Sequence, residues 1–192
     1  MKIFYTIILI LLPFDIYSQS PTHSDNMKPR VEVSTNVGSF ILELDKGRAP
    51  LTVENFLKYV NEDFYSGTIF HRVVQGFIAQ AGGYDENLDE KEVEVNIINE
   101  SGNGLSNLRG TVGLARLNSP HSGNTQFYIN LSDNLDLNPR PTRWGYTVFG
   151  NVVNGMEIID EIGHVSTSAK GSFERNVPVD SIIIESIELL SN

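Results

Sequence analysis

Short segments in which apolar and polar residues alternate follow one another from residue 31 to residue 190, and only two stretches have helical spacing. Alternation of this kind is the pattern of a strand with one buried face. The first two segments, 31–33 and 40–44, are separated by a turn that contains Gly38, which predicts a β-hairpin. Further strands are predicted at residues 68–74, 77–81, 111–115, 126–131, 146–153 and 181–190.

The two stretches with helical spacing are residues 50–60 and 155–162. Pro50 suits the first turn of a helix, and the apolar residues that follow it recur at helical intervals, namely Val53, Phe56, Leu57 and Val60. Many short strands combined with two helices favour a mainly β, closed architecture in which the helices act as caps. No repeat and no internal linker divides this region, so a single domain is predicted over residues 31–190.

The N-terminus has the pattern of a secretory signal peptide. Lys2 precedes an apolar run over residues 3–12, and small and polar residues follow, with a predicted cleavage near residues 18–20. The apolar run is shorter than the roughly twenty residues needed to span a bilayer, so no stable membrane span is expected after cleavage. A buried core helix or an uncleaved anchor is the alternative. Residues 19–30 are polar and contain two prolines, which predicts a flexible lead-in.

Composition excludes several classes of site. The chain of 192 residues has no cysteine, which excludes disulfides, thiol nucleophiles and thiolate metal ligands. Its net charge of −10 argues against nucleic acid as a partner. Residues 85–96 begin like a calcium loop, but Glu90 replaces the required glycine and Asn96 the bidentate glutamate. The four histidines show no ligand spacing, and no metal or cofactor is expected.

Two segments concentrate chemically useful side chains. In residues 69–83, Arg72 lies between apolar residues on a predicted strand, and the chain returns beside it after a turn at Gln75 and Gly76. In residues 109–130, Gln126 and Tyr128 are two positions apart and therefore face the same way on a strand. The pattern alone leaves open that Arg72 is a surface arginine and that the aromatic residues belong to the core.

Four sequence motifs carry a resemblance to a known family. They are FHRVVQGFIAQAGG at residues 70–83, RGTVGLAR at 109–116, NTQFYINLSDN at 124–134 and GYTVFGNVVNGMEIIDEI at 145–162. Together they resemble the cyclophilin-type peptidyl-prolyl cis-trans isomerases. The bacterial members that are exported to the periplasm resemble this chain further, because they share the tyrosine of GYTVFG. The resemblance implies a closed eight-stranded antiparallel β-barrel with an α-helix closing each end.

The resemblance also assigns roles to individual residues. Arg72 matches the family's catalytic arginine, and Gln80 matches a glutamine that holds this arginine and the substrate. Ala115 and Arg116 match the segment that binds the residue preceding proline, largely through the backbone. The remaining matches surround the proline ring or its rim: Phe77, Ile78, Gln126, Tyr128, Leu137 and Tyr146.

The chain departs from the family pattern at two positions. Asp136 stands where a tryptophan is familiar, and Tyr146 stands where the family has a pocket histidine. The family's tryptophan donates an N–H group to the drug cyclosporin, so weak cyclosporin binding is predicted. Trp144 is close in sequence, but its offset predicts that it packs elsewhere and does not replace the missing tryptophan.

The resemblance implies a peptidyl-prolyl cis-trans isomerase that acts on proline-containing peptides and on unfolded exported proteins. A periplasmic location is expected, with full secretion as the alternative, and the default oligomeric state is a monomer. A non-catalytic module that binds proline peptides or acts as a chaperone is the second hypothesis. Arg72 favours the enzyme, whereas Asp136 and Tyr146 leave room for the binding module.

Overall fold

A computed structural model describes residues 28–93 and 95–191. The predicted signal peptide, residues 1–18, and the lead-in up to residue 27 lie outside the described residues. Arg30, expected to end the lead-in, opens the first strand, and its guanidinium lies 2.7 Å from the carboxylate of Glu43 on the next strand. Among the described residues, no helix combines the length and the apolar character needed to cross a bilayer.

The described chain is mainly β. Its strands are β1 (Arg30–Thr35), β2 (Gly38–Leu44), β3 (Arg72–Val74), β4 (Ile78–Ala81), β5 (Thr111–Leu114), β6 (Phe127–Asn130), β7 (Val148–Asn154), β8 (Thr167–Lys170), β9 (Phe173–Pro178) and β10 (Ile184–Leu189). Its helices are α1 (Pro50–Asn61) and α2 (Met156–His164), with a short 3-10 helix at Leu135–Leu137. The predicted strands and both predicted helices are confirmed, within a few residues at each end.

Eight strands form one antiparallel sheet in the order β10-β1-β2-β7-β5-β6-β4-β3. The prediction of a closed barrel is wrong: the sheet is open and strongly curled, because its edge strands β3 and β10 do not pair along their lengths. The two edges meet just before these strands, at an isolated bridge between Ile69 and Ile183. There the Ile184 N–H donates to the Thr68 carbonyl oxygen at 2.7 Å. β3 has only three residues and begins beyond this bridge, so no continuous ladder can form.

The core lies between the sheet and α1. Helix α1 buries Phe56, whose ring centre lies 5.6 Å from that of Phe127 on β6 and 5.5 Å from that of Phe149 on β7. At the start of α1, the carboxylate of Glu100 accepts hydrogen bonds from the N–H groups of Leu51 and Thr52, at 3.1 and 2.8 Å. This contact satisfies donors that have no partner inside the helix and places a negative charge at its positive end.

Helix α2 covers the sheet with Ile159 and Ile162, which are both fully buried. Gly155 precedes it with a left-handed φ of 79°. A side chain there would place its Cβ 2.7 Å from the Cα of Phe40, so the close approach of α2 to β2 also requires glycine.

The β8–β9 hairpin has no counterpart in the sequence-based prediction. Five of the ten residues in its strands are exposed and only two are buried, so the alternation that marks a half-buried strand is weak. Its one large aromatic side chain, Phe173, packs against His71 and Tyr84, with ring centres 5.9 and 5.1 Å away.

Candidate active site

Three adjacent strands carry one row of polar and aromatic side chains. Arg72 on β3 is paired with Gln80 on β4, and Gln80 is paired with Tyr128 on β6. The residues next to them, such as Val73 and Ile129, belong to the hydrophobic core. Because side chains alternate between the two faces of a strand, Arg72, Gln80 and Tyr128 share the face opposite the core.

The turn between β3 and β4 places two apolar side chains at the end of this row. Gly76 has a left-handed φ of 67°, and the Phe77 N–H donates to the Val74 carbonyl oxygen at 2.9 Å. Only glycine adopts that conformation at little cost. Phe77 and Ile78 follow at once and therefore lie beside the side chains of the row.

These side chains enclose a cavity of about 160 Å³. Nine of the ten sequence-predicted site residues line it: Arg72, Phe77, Ile78, Gln80, Ala115, Arg116, Tyr128, Leu137 and Tyr146. The cavity combines apolar and aromatic side chains with polar groups of fixed position, which is the usual form of a site that holds a compact ring and orients the groups attached to it. A proline ring is a compact ring of this kind.

Gln126, the tenth residue, lies in an adjoining hollow of about 140 Å³ that shares Gln80, Ala115 and Arg116 with the cavity. It is nevertheless connected to Arg72. The Gln80 amide donates to Gln126 Oε1 at 2.9 Å, and Gln80 Oε1 accepts from Arg72 Nη1 at 3.1 Å. This chain of hydrogen bonds fixes the orientation of the guanidinium, because the amide of Gln80 is itself held at both ends.

Arg72 is half-buried and lines the cavity. Burial lowers the pKa of its guanidinium from its ordinary value, the negative form of Tyr146 opposes that change, and the neighbouring charge of Arg175 adds to it. The group still remains protonated at any working pH. Among the described residues, no carboxylate lies within ion-pair distance of Arg72. Its charge is therefore available to a ligand in the cavity.

The two departures from the family pattern occupy different places. Tyr146 lines the cavity, and its ring meets that of Tyr128 edge to face with centres 6.1 Å apart. Asp136 does not line it, since its side chain is 93% exposed and is paired with Arg140. Trp144 also lies outside the cavity and packs edge to face against His121, with ring centres 5.2 Å apart.

Behind the cavity lies a group of buried amide side chains that the sequence-based reasoning did not identify. Asn107 Oδ1 accepts from the Tyr128 hydroxyl at 2.6 Å, and Asn107 donates to Asn138 Oδ1 at 3.0 Å. The amide of Asn134 donates to Asn130 Oδ1 at 2.7 Å and to the Phe77 carbonyl oxygen at 2.8 Å. The richness in asparagine was visible in the sequence, but these partners are brought together only by the fold.

Within residues 28–93 and 95–191, no three histidine, aspartate or glutamate side chains are grouped closely enough to hold a metal ion. The cavity provides a guanidinium of fixed orientation beside the apolar and aromatic side chains of Phe77, Ile78 and Tyr128.

Comparison with known proteins identifies the family. A family model described as cyclophilin type peptidyl-prolyl cis-trans isomerase matches residues 30–189. The chain is 45% identical over 161 residues to a peptidyl-prolyl cis-trans isomerase of Acinetobacter baylyi, covering 84% of this chain and 85% of the relative. It is 44% identical over 160 residues to peptidyl-prolyl cis-trans isomerase B of Escherichia coli, covering 82% of this chain and 97% of the relative.

Solved structures agree with this match. A crystal structure of a Cryptosporidium parvum cyclophilin type peptidyl-prolyl cis-trans isomerase superimposes with a TM-score of 0.73 at 28% identity, covering 86% of this chain and 99% of that one. A second crystal structure of that protein, obtained in the presence of the dipeptide Ala-Pro, superimposes with a TM-score of 0.72 at 28% identity, covering 85% of this chain and 99% of that one. With the fold, the cavity and the sequence likeness in agreement, the chain belongs to the cyclophilin-type peptidyl-prolyl cis-trans isomerase family.

Proposed function

We propose that Arg72 is the catalytic residue of this isomerase and that the cavity beside it holds the proline ring of an X-Pro peptide. The observation that carries the proposal is the placement of a half-buried guanidinium, held by Gln80 at 3.1 Å, in the wall of a cavity lined by Phe77, Ile78 and Tyr128. The substrates are then proline-containing peptides and unfolded protein segments.

Isomerisation of an X-Pro peptide bond requires rotation about the bond and no covalent chemistry. A peptide bond resists rotation by about 18–20 kcal/mol, because resonance shares the nitrogen lone pair with the carbonyl group. The two isomers of an X-Pro bond differ little in energy, yet they exchange in tens to hundreds of seconds. No bond breaks, so the enzyme has only to stabilise the twisted state, in which the nitrogen becomes pyramidal and its lone pair can accept a hydrogen bond.

A guanidinium is suited to that task because it donates and never loses its proton. A donor aimed at the prolyl nitrogen interacts with the twisted state more strongly than with the planar one, which is the condition for lowering a barrier. A hydrogen bond from a charged donor contributes roughly 1.5–3 kcal/mol. Acceleration by about four decades requires about 5–6 kcal/mol, so Arg72 supplies part of the total.

The cavity supplies the remainder. Holding the ring between Phe77, Ile78 and Tyr128 fixes one side of the bond, so that the carbonyl side alone has to turn. A twisted amide is less dipolar than a planar one, so contact with the side chains of Phe77, Ile78 and Tyr128 in place of water favours it.

Replacing Arg72 tests the proposal. Arg72→Ala should lower turnover in a protease-coupled proline-peptide assay at least about tenfold, because the only cationic donor of this row is lost. Arg72→Lys should recover little, since lysine lacks the planar fork that Gln80 holds. Arg109→Ala is the matched control, because Arg109 pairs with Asp160 at 2.7 Å and does not line the cavity.

The same assay separates the isomerase from a non-catalytic proline-peptide-binding or chaperone module. Circular dichroism should first show that Arg72→Ala retains the native fold. Equal rates for the wild type and this variant would then contradict the catalytic role of Arg72 and favour the binding module.

We also propose that the chain binds cyclosporin weakly. The carboxylate of Asp136, where a tryptophan is familiar in the family, accepts hydrogen bonds but donates none, and it is 93% exposed and paired with Arg140. Inhibition of the isomerase by cyclosporin should therefore need a concentration at least about tenfold higher than for Asp136→Trp. Equal inhibition of the two proteins would contradict the importance of this position.

Export to the periplasm, where the enzyme would assist the folding of exported proteins, is a further proposal, supported by the apolar run at residues 3–12. Expression in a Gram-negative host, followed by fractionation and mass spectrometry, should find a periplasmic protein that begins near residues 18–20. A cytoplasmic product that still begins at Met1 would overturn it, and a cleaved product in the medium would support full secretion.

The protein should sediment as a monomer of the mass of the cleaved chain.

A further inference from the structure

The side chain of Arg116 joins two separate segments beside the cavity. Arg116 follows β5, and its Nη1 donates to the Leu117 carbonyl oxygen of its own loop at 2.9 Å. Its Nε and Nη2 donate to the carbonyl oxygens of Gly145 at 3.1 Å and Trp144 at 3.0 Å. One guanidinium therefore connects the loop after β5 to the segment that leads into β7.

The same guanidinium lies against a wall of the cavity. Its central carbon is 4.4 Å from the centre of the Tyr146 ring, which is a cation–π contact. The ring of Tyr128 also contacts this ring edge to face, with centres 6.1 Å apart. Tyr146 therefore contacts both the guanidinium of Arg116 and an aromatic residue of the cavity wall.

The segment before Tyr146 has few other attachments that could replace this contact. Residues 139–144 are exposed. The backbones of Arg140 and Arg143 hydrogen-bond to each other, and their side chains donate to Asp136 and Asn138, a few positions earlier in the chain. Gly145 has two further anchors, because its N–H donates to Ser101 Oγ at 3.1 Å and its carbonyl oxygen accepts from Asn99 at 3.0 Å. The Trp144 ring also packs against His121, and the Tyr146 N–H donates to the Leu137 carbonyl oxygen at 2.9 Å. Arg116 is the side chain that contacts both the Trp144 backbone and the Tyr146 ring.

We propose that the Arg116 side chain is a positioning residue: it clamps the 144–146 segment and holds the Tyr146 ring so that the proline cavity is formed before the substrate arrives. This role is distinct from a backbone contact of residues 115–116 with the substrate, and it rests on the isomerase function proposed for the cavity. Each of the three guanidinium nitrogens of Arg116 donates to a backbone carbonyl oxygen, so in the proposal the side chain acts through Tyr146 and not on the reacting bond.

The proposal predicts a particular kinetic signature. A wall that contacts the proline ring equally in the planar and twisted states contributes uniform binding, and its loss raises KM while kcat is unchanged. Arg116→Ala should therefore raise KM at least about fivefold and leave kcat within about a factor of two. Arg116→Lys keeps the charge but cannot donate to the carbonyl oxygens of Leu117, Gly145 and Trp144 at the same time. Its KM should therefore lie between those of the wild type and the alanine variant.

A spectroscopic readout tests the clamp without any substrate. Trp144 is the only tryptophan of the chain, and its carbonyl oxygen is one of the acceptors of Arg116. Release of the segment should shift the emission of Trp144 and raise its quenching by acrylamide in Arg116→Ala and, less strongly, in Arg116→Lys. Arg109→Lys is the matched control, because it changes an exposed arginine paired with Asp160 and should alter neither KM nor emission.

The outcomes separate the clamp from the isomerase assignment. Unchanged KM together with unchanged Trp144 emission in both Arg116 variants overturns the clamp. A fall in kcat with KM unchanged also overturns it, because Arg116 would then act on the reacting bond. If the wild type lacked isomerase activity, the proposed function would fail while the emission change still tested the clamp. If Arg116→Ala does not fold, Arg116→Lys provides both readouts.

Discussion

The hydroxyl of Tyr128 ties the wall of the cavity to the interior of the protein. It donates to Asn107 Oδ1 at 2.6 Å, and the same oxygen accepts from Asn130 Nδ2 at 3.2 Å. Burial raises the pKa of Tyr128 well above its ordinary value of 10.0, so the hydroxyl remains a donor throughout the working pH range. The position of this ring in the cavity therefore depends on one buried hydrogen bond between side chains.

Tyr128→Phe should lower the free energy of unfolding by about 1–2 kcal/mol, because Asn107 loses its short hydrogen bond in a place that water does not reach. The ring itself remains, so kcat should change little. Urea unfolding measures the loss, and Tyr146→Phe is the control, since its half-buried hydroxyl takes part in no hydrogen bond among the described residues. Equal unfolding free energies for Tyr128→Phe and the wild type would contradict the argument.

At the scale of the elements, β5 makes room for the cavity by presenting backbone where other strands present side chains. Gly113 on β5 is paired with Tyr128 on β6. A Cβ at this glycine would lie 2.2 Å from Tyr128 Cζ and 2.3 Å from its hydroxyl oxygen. The ring thus lies directly over the β5 backbone, and the strand pair admits no side chain there.

Gly113→Ala should therefore destabilise the protein by about 1–3 kcal/mol and raise KM, because the Tyr128 ring has to leave its place in the wall. Thermal unfolding and steady-state kinetics measure the two effects. Gly102→Ala is the matched control, since a Cβ at Gly102 meets no atom within 4 Å. A Gly113→Ala enzyme with wild-type stability and KM would show that the ring can move without consequence.

At the scale of the whole molecule, His71 is the point where the β3 edge, the loop after β4 and the β8–β9 hairpin meet. Its ring centre lies 4.6 Å from that of Tyr84 and 5.9 Å from that of Phe173. The side chain is buried, and its Nδ1 atom has no hydrogen-bond partner. Burial lowers the pKa of His71 from 6.5 to about 4, and the charge of Arg72 adds to this effect.

This residue predicts a loss of stability in mild acid. Because the pKa is lower in the folded state than in the unfolded state, the unfolded chain binds the proton first, and stability falls as the pH drops from 6.5 towards 4. Between about pH 7.5 and pH 5, His71 lowers the free energy of unfolding by about 2 kcal/mol. Urea unfolding at the two pH values should show that the free energy of unfolding falls further in the wild type than in His71→Phe, by about that amount.

Carboxylates also titrate in this range, and the comparison with His71→Phe removes their effect. An NMR titration provides a test that does not need the variant to fold: the His71 ring signals should not change above about pH 5. Titration of this ring near pH 6.5 would contradict its burial in the neutral form.

Strands, helices and the residues of the cavity could be predicted from the sequence because each depends on local periodicity or on a long, specific motif. The two-residue spacing of Gln126 and Tyr128 in residues 126–131 places their side chains on one face of a strand without any tertiary information. The β8–β9 hairpin could not be predicted, because half of its strand residues are exposed and because Phe173 packs against Tyr84 and His71, which lie 89 and 102 positions earlier in the chain.

The amino-acid sequence by itself determined the antiparallel, mainly β architecture, the family and the set of side chains around Arg72, because these follow from patterns of neighbouring residues. The tertiary structure alone decided that the sheet stays open between β3 and β10, that Asn107 supports Tyr128, and that Arg116 reaches Trp144 and Tyr146. Each of these depends on the distance between segments that are far apart along the chain, and no local pattern encodes such a distance.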